Sequence, residues 1–202
     1  MTGLRERKKL DTRRALSDAA LALAFERGLD NVTRDEIAAR AGVSLRTFNN
    51  YFTNKFEAVA YRQVERMRLA LDEFRQRPAD EPLWTAIAES VIAPLEAEGA
   101  AGVVPTPEQR AEVRKVLAAP ESRLAIALPL LEEWVDAVAE RLGVDPTVDM
   151  YPRLVAGVIR AVGEAVIDMY LHGDPPRPVV ELLRHGFAAV AAGLPDRSVR
   201  NA

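Results

Sequence analysis

Between Thr33 and Phe52 the chain has room for two short helices and a turn of about three residues, and little else. Thr33-Arg34-Asp35-Glu36 has the Thr-x-x-Glu form in which side chains at both ends satisfy otherwise orphaned backbone amides, so a helix begins at about Arg34. It runs through Ile37 and Ala38 to Ala41, and Gly42 breaks it. Ser44 then caps a further helix from Leu45 to about Tyr51. Two short helices about a glycine-containing turn are the helix-turn-helix pattern, whose second helix enters the major groove of DNA. A helix of that length is only about 10 Å long and presents few side chains to base edges. Arg46, Thr47, Asn49 and Asn50 are the candidates: arginine donates twice to guanine, asparagine pairs with adenine, and threonine offers a hydroxyl or a methyl. Phe48 and Phe52, four apart, turn inward and fix the short helix on its support.

The rest of the chain reads as all-α, with apolar residues at helical spacing and no sustained alternation of a strand. A first helix carries Leu16, Ala20, Leu23 and Ala24 on one face and stops at Gly28. Helices are expected at about Lys55 to Arg77, Glu81 to Glu98, Pro107 to Ala118, Glu121 to Leu142, Val148 to His172 and Pro178 to Leu194, which makes about nine in all. Pro94 and Pro129 fall inside two of these patterns, where a missing N–H and a ring clash kink or split a helix. The expected division is a DNA-binding domain over 1–57, with its motif over about 33–52, and a helical effector-binding and dimerisation domain over 58–202.

Charge supports that division. Met1 to Arg77 holds 16 Lys and Arg against 11 Asp and Glu, a net of +5, whereas the remainder holds 11 against 19, a net of −8. A basic front on an acidic body fits a molecule in which only the front meets a polyanion. The absence of cysteine excludes disulfides and thiol chemistry and fits a reducing, cytoplasmic setting. The charged start and the lack of a long apolar run argue against secretion and membrane insertion. The only histidines are His172 and His185, and neither a nucleophile elbow nor a glycine-rich phosphate loop is present, so the chain is not expected to be an enzyme or to carry a metal or cofactor.

Thr33, Ile37, Ala41-Gly42-Val43-Ser44, Thr47-Phe48, Tyr51-Phe52 and Lys55 follow one another in the order that marks the TetR family of bacterial transcriptional regulators, which the chain resembles over roughly Leu10 to Val59. That resemblance implies that Thr33, Tyr51 and Lys55 hold phosphates while the recognition helix, capped by Ser44, reads bases. It implies a repressor that binds a palindromic operator in double-stranded DNA as a homodimer. Asn49 departs from the family by standing where an aromatic residue is usual, and Thr53 replaces a frequent proline. The alternative class is a helical protein-interaction module without sequence-specific DNA binding. The arm with Arg5, Arg7, Lys8, Lys9, Arg13 and Arg14 either follows the DNA backbone or reaches the minor groove, or is a solvated terminus.

Beyond Arg77 the resemblance implies a helical domain that dimerises and binds a small-molecule effector. Arg141-Leu142-Gly143-Val144-Asp145-Pro146 is similar to a segment of actinobacterial members with acyl-type ligands, and its glycine and proline equally suit any interhelical turn. An apolar or amphipathic effector is expected among Trp84, Ile87, Val91, Leu117, Leu124, Leu128, Leu131, Trp134, Tyr151, Leu154 and Val158, which alternatively fill an ordinary core. Val162, Val166 and Tyr170, with Val179, Leu183, Gly186, Phe187 and Val190, form the stripe expected to pair two copies through a four-helix bundle. The dimer reading requires that this surface not be consumed within one chain.

Overall fold

The computed structural model describes residues 3–118 and 130–194, apart from the side chains of 117 and 118. Among them are nine α-helices and no strand. They are α1 (Leu4–Arg27), α2 (Arg34–Arg40), α3 (Leu45–Tyr51), α4 (Lys55–Gln76), α5 (Leu83–Ala97), α6 (Pro107–Ala118), α7 (Leu131–Leu142), α8 (Tyr151–His172) and α9 (Val179–Ala191), with a 3₁₀ turn at Leu29–Asn31. The boundaries have the local causes that the sequence names. Gly28 leaves α1 at φ 80°, Gly42 ends α2 at φ 69° and Gly143 ends α7 at φ 67°, conformations that cost other residues a Cβ clash. Pro94 is an exception, because α5 continues through it.

The chain forms two compact units, Met1–Arg66 with Thr106–Leu130, and Met67–Pro105 with Leu131–Ala202. The single cut expected at 57/58 does not describe this. The boundary falls inside α4, and α6 belongs with the first unit because Val116 joins the apolar cluster of α1 to α4.

That cluster gathers Leu16, Leu23, Leu29, Val32, Ile37, Phe48, Phe52 and Val59, all buried. Rings stack through it: Phe48 and Phe52 lie 5.8 Å apart, and Phe52 meets Tyr61 edge-on at 5.7 Å. Deep inside, the Ser17 hydroxyl donates to the Ala58 carbonyl at 2.6 Å, which ties α1 to α4 without leaving a buried donor unpaired.

In the second unit α8 packs against α7 and α9, and α9 against α5. The seam between α8 and α9 uses Val162, Val166, Leu183 and Phe187, all buried; Phe187 is 2% exposed. Close approach is what Gly186 provides, since a Cβ there would lie 3.0 Å from Val162 Cγ1. These residues were expected to pair two copies. Within one chain these four side chains are already buried, in a unit where α9 packs on both α8 and α5 and α8 on α7. Tyr170, Val179 and Val190 are half-buried at its margins.

Arg141 closes the end of α4. It donates to the carbonyls of Arg77 at 3.4 Å, Pro78 at 2.5 Å and Glu81 at 2.9 Å while its guanidinium lies 5.3 Å from the Phe74 ring centre. Next to it Arg77 grips Glu81 through two nitrogens at 2.5 and 2.6 Å, which holds the Glu81 carboxyl below its ordinary range. After Gly143, the Asp145 carboxylate accepts from the Thr147 amide and hydroxyl at 2.8 and 2.7 Å. The 141–146 run is therefore a helix end followed by an Asp-anchored interhelical turn.

Candidate nucleic-acid interface

Two capped helices build the interface. At α2 the capping box is complete: the Thr33 hydroxyl accepts from the Glu36 amide at 3.3 Å, and the Glu36 carboxylate accepts from the Thr33 amide at 2.9 Å. The Thr33 amide, its hydroxyl and Arg27 together hold the Glu36 carboxyl below its ordinary range. At α3 the Ser44 hydroxyl accepts from the Thr47 amide at 3.1 Å. Each cap contributes about 1 kcal/mol, a large amount for helices of 7 residues.

Phe48 anchors α3 from below, and Arg46, Asn49 and Asn50 stand exposed above it. Thr47 and Tyr51 are half-buried at the edges. The expected reading residues therefore share the solvent side of one short helix. They are joined by a residue that the sequence reading missed: Arg34, at the start of α2, donates to Asn49 Oδ1 at 3.2 Å. Nothing in a linear pattern pairs positions fifteen apart, although a long cation beside a short amide across a tight turn is the available clue.

Lys55 is placed differently from its expected role. Its ammonium donates to the carbonyls of Leu29 at 2.8 Å, Val32 at 3.1 Å and Asp30 at 3.3 Å, so all three N–H groups face the turn between α1 and α2. A phosphate would have to compete with three carbonyls, and we therefore correct Lys55 from a phosphate ligand to a clamp on the turn. From its other side the same turn is held by α6, where Glu112 accepts from the Leu29 amide at 3.1 Å and from Lys115 at 2.8 Å. Those donors hold the Glu112 carboxyl below its ordinary range. This contact was also missed, being 83 residues long-range.

The basic arm divides into two parts. Arg5, Arg7, Lys8 and Lys9 are exposed. Arg13 lies over the rings of Tyr61 at 4.5 Å and Phe52 at 5.3 Å, and Arg14 bonds the buried Glu65 at 2.5 Å, so these two side chains hold the fold.

Of the residues expected around an effector, Ile87 and Trp134 are buried, Trp84, Val91, Leu131 and Val158 are half-buried, and Leu124 and Leu128, with the Leu117 side chain, lie outside the described residues. Tyr151 and Leu154 are corrected: at 45% and 52% exposure they stand on the outer surface of α8. Trp134 packs on Phe74 at 5.3 Å, and its indole N–H is buried without a hydrogen-bond partner among the described residues. Among the described residues no three acidic or histidine side chains gather as a metal site would need, and no helix is long and apolar enough to cross a membrane. His172 Nδ1 lies 3.2 Å from the Asp168 carboxylate at the exposed end of α8.

Residues 16–59 match the family of bacterial regulatory proteins known as the tetR family, and residues 81–195 match the MftR C-terminal domain. The chain is 33% identical over 189 residues to the HTH-type transcriptional regulator TcmR of Streptomyces glaucescens, covering 85% of this chain and 79% of that protein. The fold is that of the FadR regulator of Bacillus subtilis, crystallised with stearoyl-CoA, at a TM-score of 0.57 and 19% identity over 89% of this chain and 97% of that one. It is likewise that of FadR from Thermus thermophilus, crystallised with lauroyl-CoA, at 0.54 and 20% over 94% and 98%. With a capped two-helix reading head in its first unit and family matches over both parts of its length, the chain belongs to the TetR family of DNA-binding transcriptional regulators.

Proposed function

We propose that the protein is a repressor that binds a palindromic operator as a homodimer and is modulated by a small apolar or amphipathic effector. The observation that carries the DNA-reading part is the seating of α3: Phe48 fixes its underside while Arg46, Asn49 and Asn50 stand together in solvent. Arg46 has no carboxylate partner among the described residues, so it keeps its charge and its five donors for a guanine edge. Binding-site selection from random DNA tests this. Arg46→Ala should weaken the selected site by about 1 to 3 kcal/mol and relax one base pair in each half-site. Unchanged preference would mean that α3 does not face the groove as proposed.

One reading head spans too few bases to find a site alone, which supports pairing. The surface that suits a second copy is the outer stripe of α8, where Leu154, Ala161, Ala165 and Met169 are exposed at helical spacing. It is proposed in place of the α8–α9 seam, whose side chains are buried within one chain. For the effector, support comes from the unpartnered indole of Trp134 and from the acyl-CoA complexes of the two FadR structures that share the fold. By linkage, a true effector and the operator must alter one another's affinity by the same factor, so acyl-CoA titrated with and without operator gives the test, and equal affinity in both states would exclude it as an effector.

A further inference from the structure

We propose that Asn49 does not read DNA itself but positions Arg34, and that the guanidinium of Arg34 reads a guanine edge beside the bases met by Arg46. The reading surface then spans both helices of the motif. Three observations carry this. First, Arg34 donates to Asn49 Oδ1 at 3.2 Å, across the turn from α2 to α3, and both residues are exposed. Second, the partner is neutral. Arg27 and Arg40, the neighbouring arginines, face Glu36 and Glu26, whose carboxylates cancel their charge. Arg34 has no carboxylate partner among the described residues and keeps its full charge after bonding an amide. Third, one bond to Asn49 leaves four of the five guanidinium N–H groups available while restricting the plane in which they lie. A phosphate accepts from a mobile cation in many orientations. The paired O6 and N7 acceptors of guanine demand a fixed fork, and a fixed fork is what an amide partner supplies without neutralising it.

A residue in this role answers why an amide at 49 is suited to the groove side of α3. An aromatic side chain there would offer Arg34 no carbonyl oxygen.

The inference rests on α3 facing the groove. Full-length wild type, Arg34→Ala, Arg34→Lys, Asn49→Ala and the double variant Arg34→Ala with Asn49→Ala would each be taken through site selection from random DNA, followed by binding titrations over a range of salt. All substitutions are at exposed positions, and circular dichroism melting checks that each variant folds. The expected result is a guanine in each half-site whose preference falls roughly five- to 150-fold in Arg34→Ala and in Arg34→Lys, the lysine keeping the salt dependence because it keeps the charge. Asn49→Ala should relax that same position, and the double variant should be no worse than Arg34→Ala alone. Relaxation of different positions by the two single variants would overturn the proposal. So would a loss in Arg34→Ala that is equal for all sequences and recovered by lysine, which marks a phosphate contact. If wild type selects no motif at all, the seating of α3 fails with it, whereas a motif retained by every variant removes only the Arg34–Asn49 pair.

Discussion

The two units differ in which of their cations are left unmatched. In the first, some charges fasten the backbone, Lys55 gathering three carbonyls of the α1–α2 turn, Glu112 taking the Leu29 amide and Glu36 the Thr33 amide, while others pair, Arg40 with Glu26 and Arg14 with Glu65. Among the described residues Arg34 and Arg46, on the α2 and α3 surface, have no carboxylate partner. In the second, arginines meet carboxylates across its surface, Arg184 with Glu89 and Glu96, Arg153 with Glu132 and Arg177 with Glu181, while the interior is an apolar seam. Exposed pairs of that kind contribute about 0 to 1 kcal/mol each, so the seam holds the unit together. A surface that meets a polyanion gains from cations left unmatched at the positions that face it. A surface that does not can neutralise itself.

The contrast is most easily broken at α9. Phe187→Asp places a carboxylate where a ring is 2% exposed and should destabilise the second unit by more than about 4 kcal/mol, seen as loss of the urea transition. Ala165→Asp, on the exposed stripe of α8, should leave melting within about 1 kcal/mol of wild type while converting a dimer to a monomer by light scattering. If Ala165→Asp unfolded the chain and Phe187→Asp merely split it, seam and outer face would have been assigned the wrong way round.

Lys55 tests the other side of the comparison at a smaller magnitude. Removing three hydrogen bonds from a charged donor in Lys55→Ala should cost about 2 kcal/mol of stability in a urea titration. Affinity for DNA should fall because the turn that orients α2 loosens, yet the slope of affinity against salt should stay that of wild type. A slope reduced by roughly one unit per protomer would restore Lys55 as a phosphate contact.

Much of the first unit was legible because its determinants are local. Thr33 and Glu36 find one another within one turn, as do Ser44 and Thr47, and Gly28 and Gly42 declare their own conformations. What was not legible required knowing which surface meets which. The stripe of Val162, Val166, Leu183 and Phe187 has the same spacing whether it faces its own chain or another copy, and its burial within one chain, with Gly186 close against Val162, is visible only in the coordinates. Lys55 was carried over from a motif in which residue type is visible and direction is not. Resemblance to the family motif points to the lysine, and only the coordinates place its ammonium back against Leu29.

Glu112 yields the smallest effect and the one with a sign in pH. Its carboxyl is held below its ordinary range chiefly by Lys115 and then by the Leu29 amide, against the opposing effect of burial. A carboxyl depressed in the folded state binds its proton more readily in the unfolded chain. Its contribution is therefore complete above the unfolded value, roughly pH 5 and higher, and is lost as pH falls through the folded value. Glu112→Gln keeps a carbonyl oxygen for the Leu29 amide and removes only the charge. The variant should be less stable than wild type by about 1 kcal/mol at pH 7, and the two urea titrations should converge as the pH is lowered below the ordinary glutamate range. A difference that persisted unchanged into acid would show that Glu112 acts through shape alone. A difference that grew toward acid would mean that the carboxyl binds its proton more tightly in the folded state, and the charge-on-backbone account of the first unit would lose its longest-range contact.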